Sequence, residues 1–298
     1  MKTITGYLRL MRPANIVTAI ADILAGIAIA GYFSSGTVEA RPIILLIAAT
    51  IGLYGGGVVF NDVFDAKLDS IERPERPIPS GLVSLPGATL FALLLLVAGI
   101  SAASLVHEDG LLSASGILAV AIAACAVLYD KWGKHHSTIG PVNMGLCRGL
   151  NLLLGISIVP AAVSQYWYIG FVPVIYIAAI TMISRGEVHG GSKRTLYAAT
   201  GLYLVVICSI LSIALYHHNA VLTIIFIALF AYMIFPALSR AISNPSGPLI
   251  GKAVKAGVIA LILMNASWAA AFGLPWIALI ILLLLPLSLS LAKLFAVT

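Results

Sequence analysis

The sequence predicts an all-α, polytopic membrane protein, a bundle of nine or ten helices around a central cavity open to the cytoplasmic side. Three observations lead there. Hydrophobic residues make up 61% of the 298 and charged residues only 9%, with a mean hydropathy of +1.07, too apolar for a chain solvated around one globular core. Apolar runs of about 20 residues, the length a helix needs to cross a bilayer, recur from end to end. These runs are apolar on every side and rich in Leu, Ile and Ala, whereas membrane β-strands alternate polar and apolar over about 10 residues.

In order, the expected spans are Ala14 to Phe33, Pro42 to Asn61, Gly87 to Val106, Leu111 to Tyr129, Thr138 to Ile158, Trp167 to Ser184, Thr195 to Tyr216, Ala220 to Leu238, Gly251 to Ala271 and Pro275 to Leu294. The first is too long for a cleaved signal and lacks a small-residue cleavage site after it, so it reads as a permanent helix. Gly55, Gly56 and Gly57 in the second suit close helix packing. Arg148 and Asn151 share one face of the fifth. Tyr166, Trp167, Tyr168 and Trp276 stand at span edges as interfacial anchors. Cys125, Cys147 and Cys208 lie inside spans with no CxxC pair, which argues against a disulfide framework or a zinc site.

Charge orients the spans. Lys2, Arg9, Arg12, Lys67, Arg73, Arg76, Lys131, Lys134, Arg185, Lys193, Arg194, Arg240, Lys252, Lys255 and Lys293 all fall on one side of a ten-pass chain, and only Arg41 lies in a connection on the other. The positive-inside bias therefore puts both termini and the acidic loop in the cytoplasm, as expected of an integral protein of a bacterial inner membrane. The net charge of +6 reports this topology and not nucleic-acid binding, because the basic residues are spread over several loops. No linker or low-complexity segment interrupts residues 1–298, so one membrane domain is expected.

The densest charge sits in FNDVFDAKLDSIERPERPIPSG, residues 60–81. Asp62, Asp65 and Asp69 are spaced by three and then four residues, so a second helix continuing past Asn61 carries all three carboxylates on one face. Like charges at that spacing repel, and acids near hydrocarbon are disfavoured by about 2–3 kcal/mol each. Two readings are open: a hard divalent ion such as Mg²⁺, which suits oxygen ligands and phosphates, or a solvated loop in which Asp and Arg pair with each other. Arg73-Pro74 and Arg76-Pro77 stop the helix and leave two guanidiniums suited to anions with several oxygens.

Asn61-Asp62-Val63-Phe64-Asp65-Ala66-Lys67-Leu68-Asp69, followed by RPERPIPSG at residues 73–81, resembles the NDxxDxxxD motif of the UbiA superfamily of intramembrane prenyltransferases. Arg12, Pro13 and Asn15 fit that family's opening helix. The resemblance implies a bundle commonly of nine spans, Mg²⁺ bridging an isoprenyl diphosphate to two acidic motifs, and alkylation of a lipophilic or aromatic acceptor. It implies Asp62 and Asp65 as catalytic metal holders, with Asp69 and Glu187 completing the metal set. Asn15, Asn61, Arg73, Arg76, Lys131, Arg148, Asn151 and Lys193 are then the diphosphate or substrate contacts.

The second family motif is thinner here. ISRGEVHGGSKRTL, residues 183–196, has Glu187 as its only acid; His189 can supplement it only weakly, since Mg²⁺ prefers oxygen. Gly186, Gly190 and Gly191 are expected to let backbone amides approach a phosphate, against the alternative of a plain basic loop. SRGEVHGG and MGLCRGLNLLLG resemble the UbiA-like subgroup called EboC, which implies the alternative function, a non-transferring membrane protein that binds or helps export a secondary-metabolite precursor. Arg148 is open between a diphosphate or acceptor contact, snorkelling to the surface and pairing with Asp22; Lys131 and Lys134, in the connection where the family often places a diphosphate-binding lysine, are open between that contact and a membrane anchor.

Overall fold

The computed structural model describes residues 2–34, 36–136, 139–187 and 190–295. Thr138, the expected start of the fifth span, and His189 lie outside the described residues. The described residues form helices and short 3-10 turns without a strand. The helices are α1 (Lys2–Met11), α2 (Pro13–Ile29), α3 (Ala40–Glu72), α4 (Leu85–Ser104), α5 (Ala114–Lys131) and α6 (Ile139–Ile156). After α7 (Pro160–Tyr166) come α8 (Phe171–Ser184), α9 (Lys193–Tyr216), α10 (Ala220–Ser243), α11 (Gly247–Ala271) and α12 (Pro275–Leu294). Nine spans are long and apolar enough to cross a membrane among the described residues, with α7 and α8 forming one of them; α1 and α2, bent by 47°, make a tenth if taken together. Each of the ten expected runs coincides with one of these segments.

The bend before α2 has a local cause. Pro13 fits the first turn of a helix but cannot donate to the preceding turn, so α1 stops at Met11. Arg12 takes the left-handed conformation, φ 50° and ψ 67°, which a side chain occupies at some cost. That turn swings the Arg12 side chain onto α3.

The buried apolar residues form two clusters. One joins α1, α3, α4 and α5, and the other joins α8 to α12, while α2 and α6 contribute to both. The α2–α6 crossing is close because of Gly26 and Gly155. A Cβ on Gly26 would stand 2.4 Å from the Leu152 carbonyl oxygen, and one on Gly155 would stand 2.5 Å from that of Ile23. Glycine thus permits the backbone contact that fuses the two halves. Between the halves, at the end where α3 outruns its neighbours, lie two cavities.

Candidate functional site

α3 runs 33 residues to Glu72 without a break, about 50 Å at 1.5 Å per residue, well beyond a hydrocarbon core of about 30 Å. The extra turns carry the acidic motif, in which Asp62 and Asp69 turn together toward Arg76 while Asp65, expected on the same face, takes a separate partner. Arg73 follows the last helical residue, its amide donating to the Asp69 carbonyl at 2.8 Å. The prolines then turn the chain back, closed by the Val83 amide on the Pro77 carbonyl at 3.0 Å. That fold-back brings Arg76 over the carboxylates. Its Nη1 donates to Asp69 Oδ2 at 2.7 Å and to Asp62 Oδ1 at 3.4 Å, and Arg12 Nη2 reaches Asp62 Oδ1 from the other side at 2.7 Å. Asp62 and Asp69 are buried and committed to guanidiniums.

Asp65 faces elsewhere. Lys134, in the short turn after α5, places its Nζ 2.5 Å from Asp65 Oδ1. Asn61 turns its amide to Asp130 at the end of α5, Nδ2 to Oδ1 at 2.9 Å. Oδ2 of Asp130 is shielded from solvent and has no hydrogen-bond partner among the described residues.

These groups line a cavity of about 460 Å³. Arg12, Arg73, Arg76, Asn61, Asp65 and Asp130 stand at its polar end, and Leu53, Tyr54, Ile122, Ile177, Ile180 and Leu261 form its apolar walls. A second cavity, of about 570 Å³, is lined by Glu187 and Lys255 together with apolar residues of α11 and α12. Arg12, Asn15, Arg76 and Val258 line both. The two arginines that hold Asp62 and Asp69 therefore stand, with Asn15 and Val258, in the wall between two chambers.

Glu187 reaches the second chamber across α11. Gly251 leaves it room, since a Cβ there would stand 3.0 Å from Glu187 Oε1. The expectation that glycine amides of this loop approach a phosphate is corrected by the backbone. The Gly186 amide donates to Ile183, that of Gly190 to Gly186 and that of Gly191 to Pro245, so all three donors are already engaged. They shape a tight turn docked beside α11. Lys193 is exposed at the start of α9 and lines neither cavity.

Arg148 neither snorkels nor stands free. It is buried, with Nη1 2.5 Å from Asp22 Oδ2 and Nη2 bonded to Thr18, and its guanidinium lies 5.3 Å from the centre of the Tyr54 ring. Asn151 donates to the Ala19 carbonyl at 3.0 Å and to Asp22 at 3.1 Å, and Asn265 donates to Asp22 Oδ1 at 2.7 Å. Arg148 and Asn151 still line the inner part of the first cavity. Lys131 is exposed, its ammonium 4.4 Å from the Trp132 ring centre, and lines neither cavity; Lys134, three residues on, occupies the position against the acidic motif. Asp130 and Lys255 are the cavity residues that the sequence gives no reason to single out. Nothing in a single sequence distinguishes them from other charges at span ends.

A helical membrane bundle with an arginine-walled acidic motif between two part-apolar chambers is the class that fold and site define. Residues 21–248 match the UbiA prenyltransferase family, and the chain belongs to that family, an integral multi-pass membrane protein. It is 28% identical over 179 residues, 60% of this chain and 61% of the relative, to a digeranylgeranylglyceryl phosphate synthase of Methanothrix thermoacetophila. With one of Methanosphaera stadtmanae it shares 26% over 271 residues, 85% of this chain and 95% of the relative. The chain spans about half the length of several other curated relatives it matches. Its fold superposes on a UbiA homologue of Aeropyrum pernix K1 with a TM-score of 0.68 at 16% identity, covering 85% of this chain and 96% of that one. A homologue of Archaeoglobus fulgidus, bound to DMAPP and Mg²⁺, gives 0.57 at 17%, covering 90% and 99%. The EboC subgroup finds no counterpart in these matches.

Proposed function

We propose that this protein transfers an isoprenyl group from a polyprenyl diphosphate to a lipophilic acceptor, with the two cavities as donor and acceptor chambers. The observation that carries the reading is the shared wall, where Arg12 and Arg76 face both chambers while anchored on Asp62 and Asp69. A diphosphate lying at that wall meets fixed guanidinium donors, and its prenyl tail extends between Tyr54, Ile122, Ile177 and Leu261. When the allylic C–O bond breaks, both electrons leave with the diphosphate. Arginines already oriented by buried carboxylates stabilise that charge without reorganising. The apolar walls, with the Tyr54 and Tyr129 rings among the lining, keep water from the allylic cation. The acceptor nucleophile then bonds to the cationic carbon and loses its proton.

The donor set suits Mg²⁺, because it is made of carboxylate oxygens, and this ion needs only one or two of them beside substrate phosphates. Among the described residues no three His, Cys, Asp or Glu side chains converge on one point, so the expected set of Asp62, Asp65, Asp69 and Glu187 does not gather as one cage, and phosphate oxygens would have to supply most of the ligands. Of the expected metal acids, Asp65 and Glu187 line the chambers and would be the ones left to hold it, while Asp62 and Asp69 act by fixing the arginines. The bound ion supplies Lewis-acid neutralisation of the leaving diphosphate. The relatives' name supports an acceptor built on an isoprenyl glyceryl phosphate, for which Lys255 and Arg12 offer a head-group contact. The charge distribution supports a cytoplasmic placement of the motif loops in a plasma membrane.

The single acid in loop 185–194 favours a second reading, a non-transferring protein that binds or helps export a lipophilic precursor. Purified protein given labelled geranylgeranyl diphosphate and geranylgeranylglyceryl phosphate, with and without Mg²⁺, separates the two. Magnesium-dependent release of pyrophosphate with a prenylated product is the expected result. Tight binding of the diphosphate with no release over hours establishes the second reading instead.

A further inference from the structure

We infer that Asp130 is a second cavity carboxylate for the divalent ion, standing beside Asp65 and replacing the acid that loop 185–194 lacks. The inference rests on the reading of the site as a diphosphate chamber. Asp130 lies outside both acidic motifs, on the last turn of α5, with only 3% of its surface exposed. Asn61, the first residue of the acidic motif, spends its amide on Oδ1 at 2.9 Å. Oδ2 has no partner among the described residues. A buried carboxylate with one oxygen unpaired is costly to hold unless a cation arrives.

The neighbouring cations are already engaged. Arg12 and Arg76 are held by Asp62 and Asp69, Lys134 by Asp65, and Arg148 by Asp22. Arg73 lines the same cavity but is exposed. Diphosphate entering this chamber adds further negative charge beside Asp130. A divalent ion offsets both at once, and a pair of carboxylates with phosphate oxygens is the donor set that Mg²⁺ takes. Asn61 then holds a ligand's other oxygen in place, as outer partners of metal ligands commonly do. This accounts for an otherwise odd feature of the acidic motif, whose leading asparagine turns away from its own aspartates to a residue 69 positions further along.

The test is Mn²⁺ binding, measured as metal retained with purified protein in nanodiscs on spin filtration against protein-free nanodiscs, at fixed total Mn²⁺ and inorganic pyrophosphate. Wild type, Asp65→Asn, Asp130→Asn and Asp130→Ser are compared, the serine serving if the asparagine variant does not fold. Either Asp130 variant is expected to bind Mn²⁺ at least about tenfold more weakly, and to lose the Mg²⁺-dependent rise in melting midpoint, while its midpoint without metal stays near that of wild type. Wild-type affinity in a folded Asp130 variant, with binding lost in Asp65→Asn, overturns the inference and leaves the diphosphate reading standing. A wild-type protein that takes up no Mn²⁺ with pyrophosphate overturns that reading and this inference together.

Discussion

Asp22 with Arg148, and Asp62 with Arg12, are the same two side chains in two settings. The inner pair reaches the first cavity only at Arg148 and has its hydrogen bonds taken up within the bundle: Asp22 accepts from Arg148, Asn151 and Asn265, and Arg148 also holds Thr18. Its carboxylate side chain is 1% exposed and its guanidinium 8%, against 22% for Arg12 in the outer pair. The outer carboxylates are buried too, but their arginines look into cavities. Charge in a bilayer is tolerated when paired inside the bundle. Whether a pair holds helices together or waits for a ligand is decided by which partner keeps a free face. Interior saturation ties α2, α6 and α11 to one another, whereas the outer arginines remain available to an anion.

The hardest blow to that contrast is Asp22→Ala. It leaves Arg148 buried without its counter-charge, a loss of about 3–5 kcal/mol, and is expected to abolish the monodisperse folded fraction in size-exclusion chromatography. Joint replacement, Asp22→Leu with Arg148→Met, should restore much of it, because an apolar pair needs no compensation. A single variant as stable as wild type removes the structural role of the inner pair.

Gly26→Ala comes next, at about 1–3 kcal/mol. The added methyl meets backbone of α6 and not a movable side chain, so the melting midpoint falls although no charge is touched. An unchanged midpoint shows that the two halves are not fused at this crossing.

Arg76→Lys sharpens the comparison from the outer side. It keeps a charge near Asp69 but loses the planar fork, of which Nη1 alone is spent on Asp69 and Asp62, and with it the remaining donors for an anion. Pyrophosphate affinity measured by calorimetry should fall about tenfold, the loss of one charge-assisted hydrogen bond, with the fold retained. Affinity equal to wild type places the anion elsewhere. Lys131→Ala is expected to do least, within about 0.5 kcal/mol in stability and with unchanged pyrophosphate affinity. A tenfold loss in the same titration returns Lys131 to the site.

Much of the molecule is legible in the sequence. Ten apolar runs appear as the expected segments, because a helix that crosses lipid must satisfy its backbone internally over a fixed thickness. The line of Asp62, Asp65 and Asp69 was legible because helical periodicity acts over neighbouring residues. Pairing was less so. Asp62 with Arg12 and Asp65 with Lys134 join residues 50 and 69 positions apart, and Asn265 reaches Asp22 across 243. For Arg148 the sequence left three outcomes open, and packing selected the bond to Asp22. Lys131 and Lys134 sit in one short basic turn, indistinguishable by composition, yet only Lys134 meets the acidic motif.

By itself the sequence determined an apolar helical bundle, an acidic helix face broken by prolines, and a family whose motif it carries, since each depends on residues close together in the chain. Tertiary structure alone decided that the acids hold arginines, that those arginines divide two chambers, and that Asp130 keeps an unpaired oxygen. Those outcomes depend on how α2, α3, α5 and α11 cross, and crossing is set by close-packed surfaces at the glycine contacts, which no local pattern encodes.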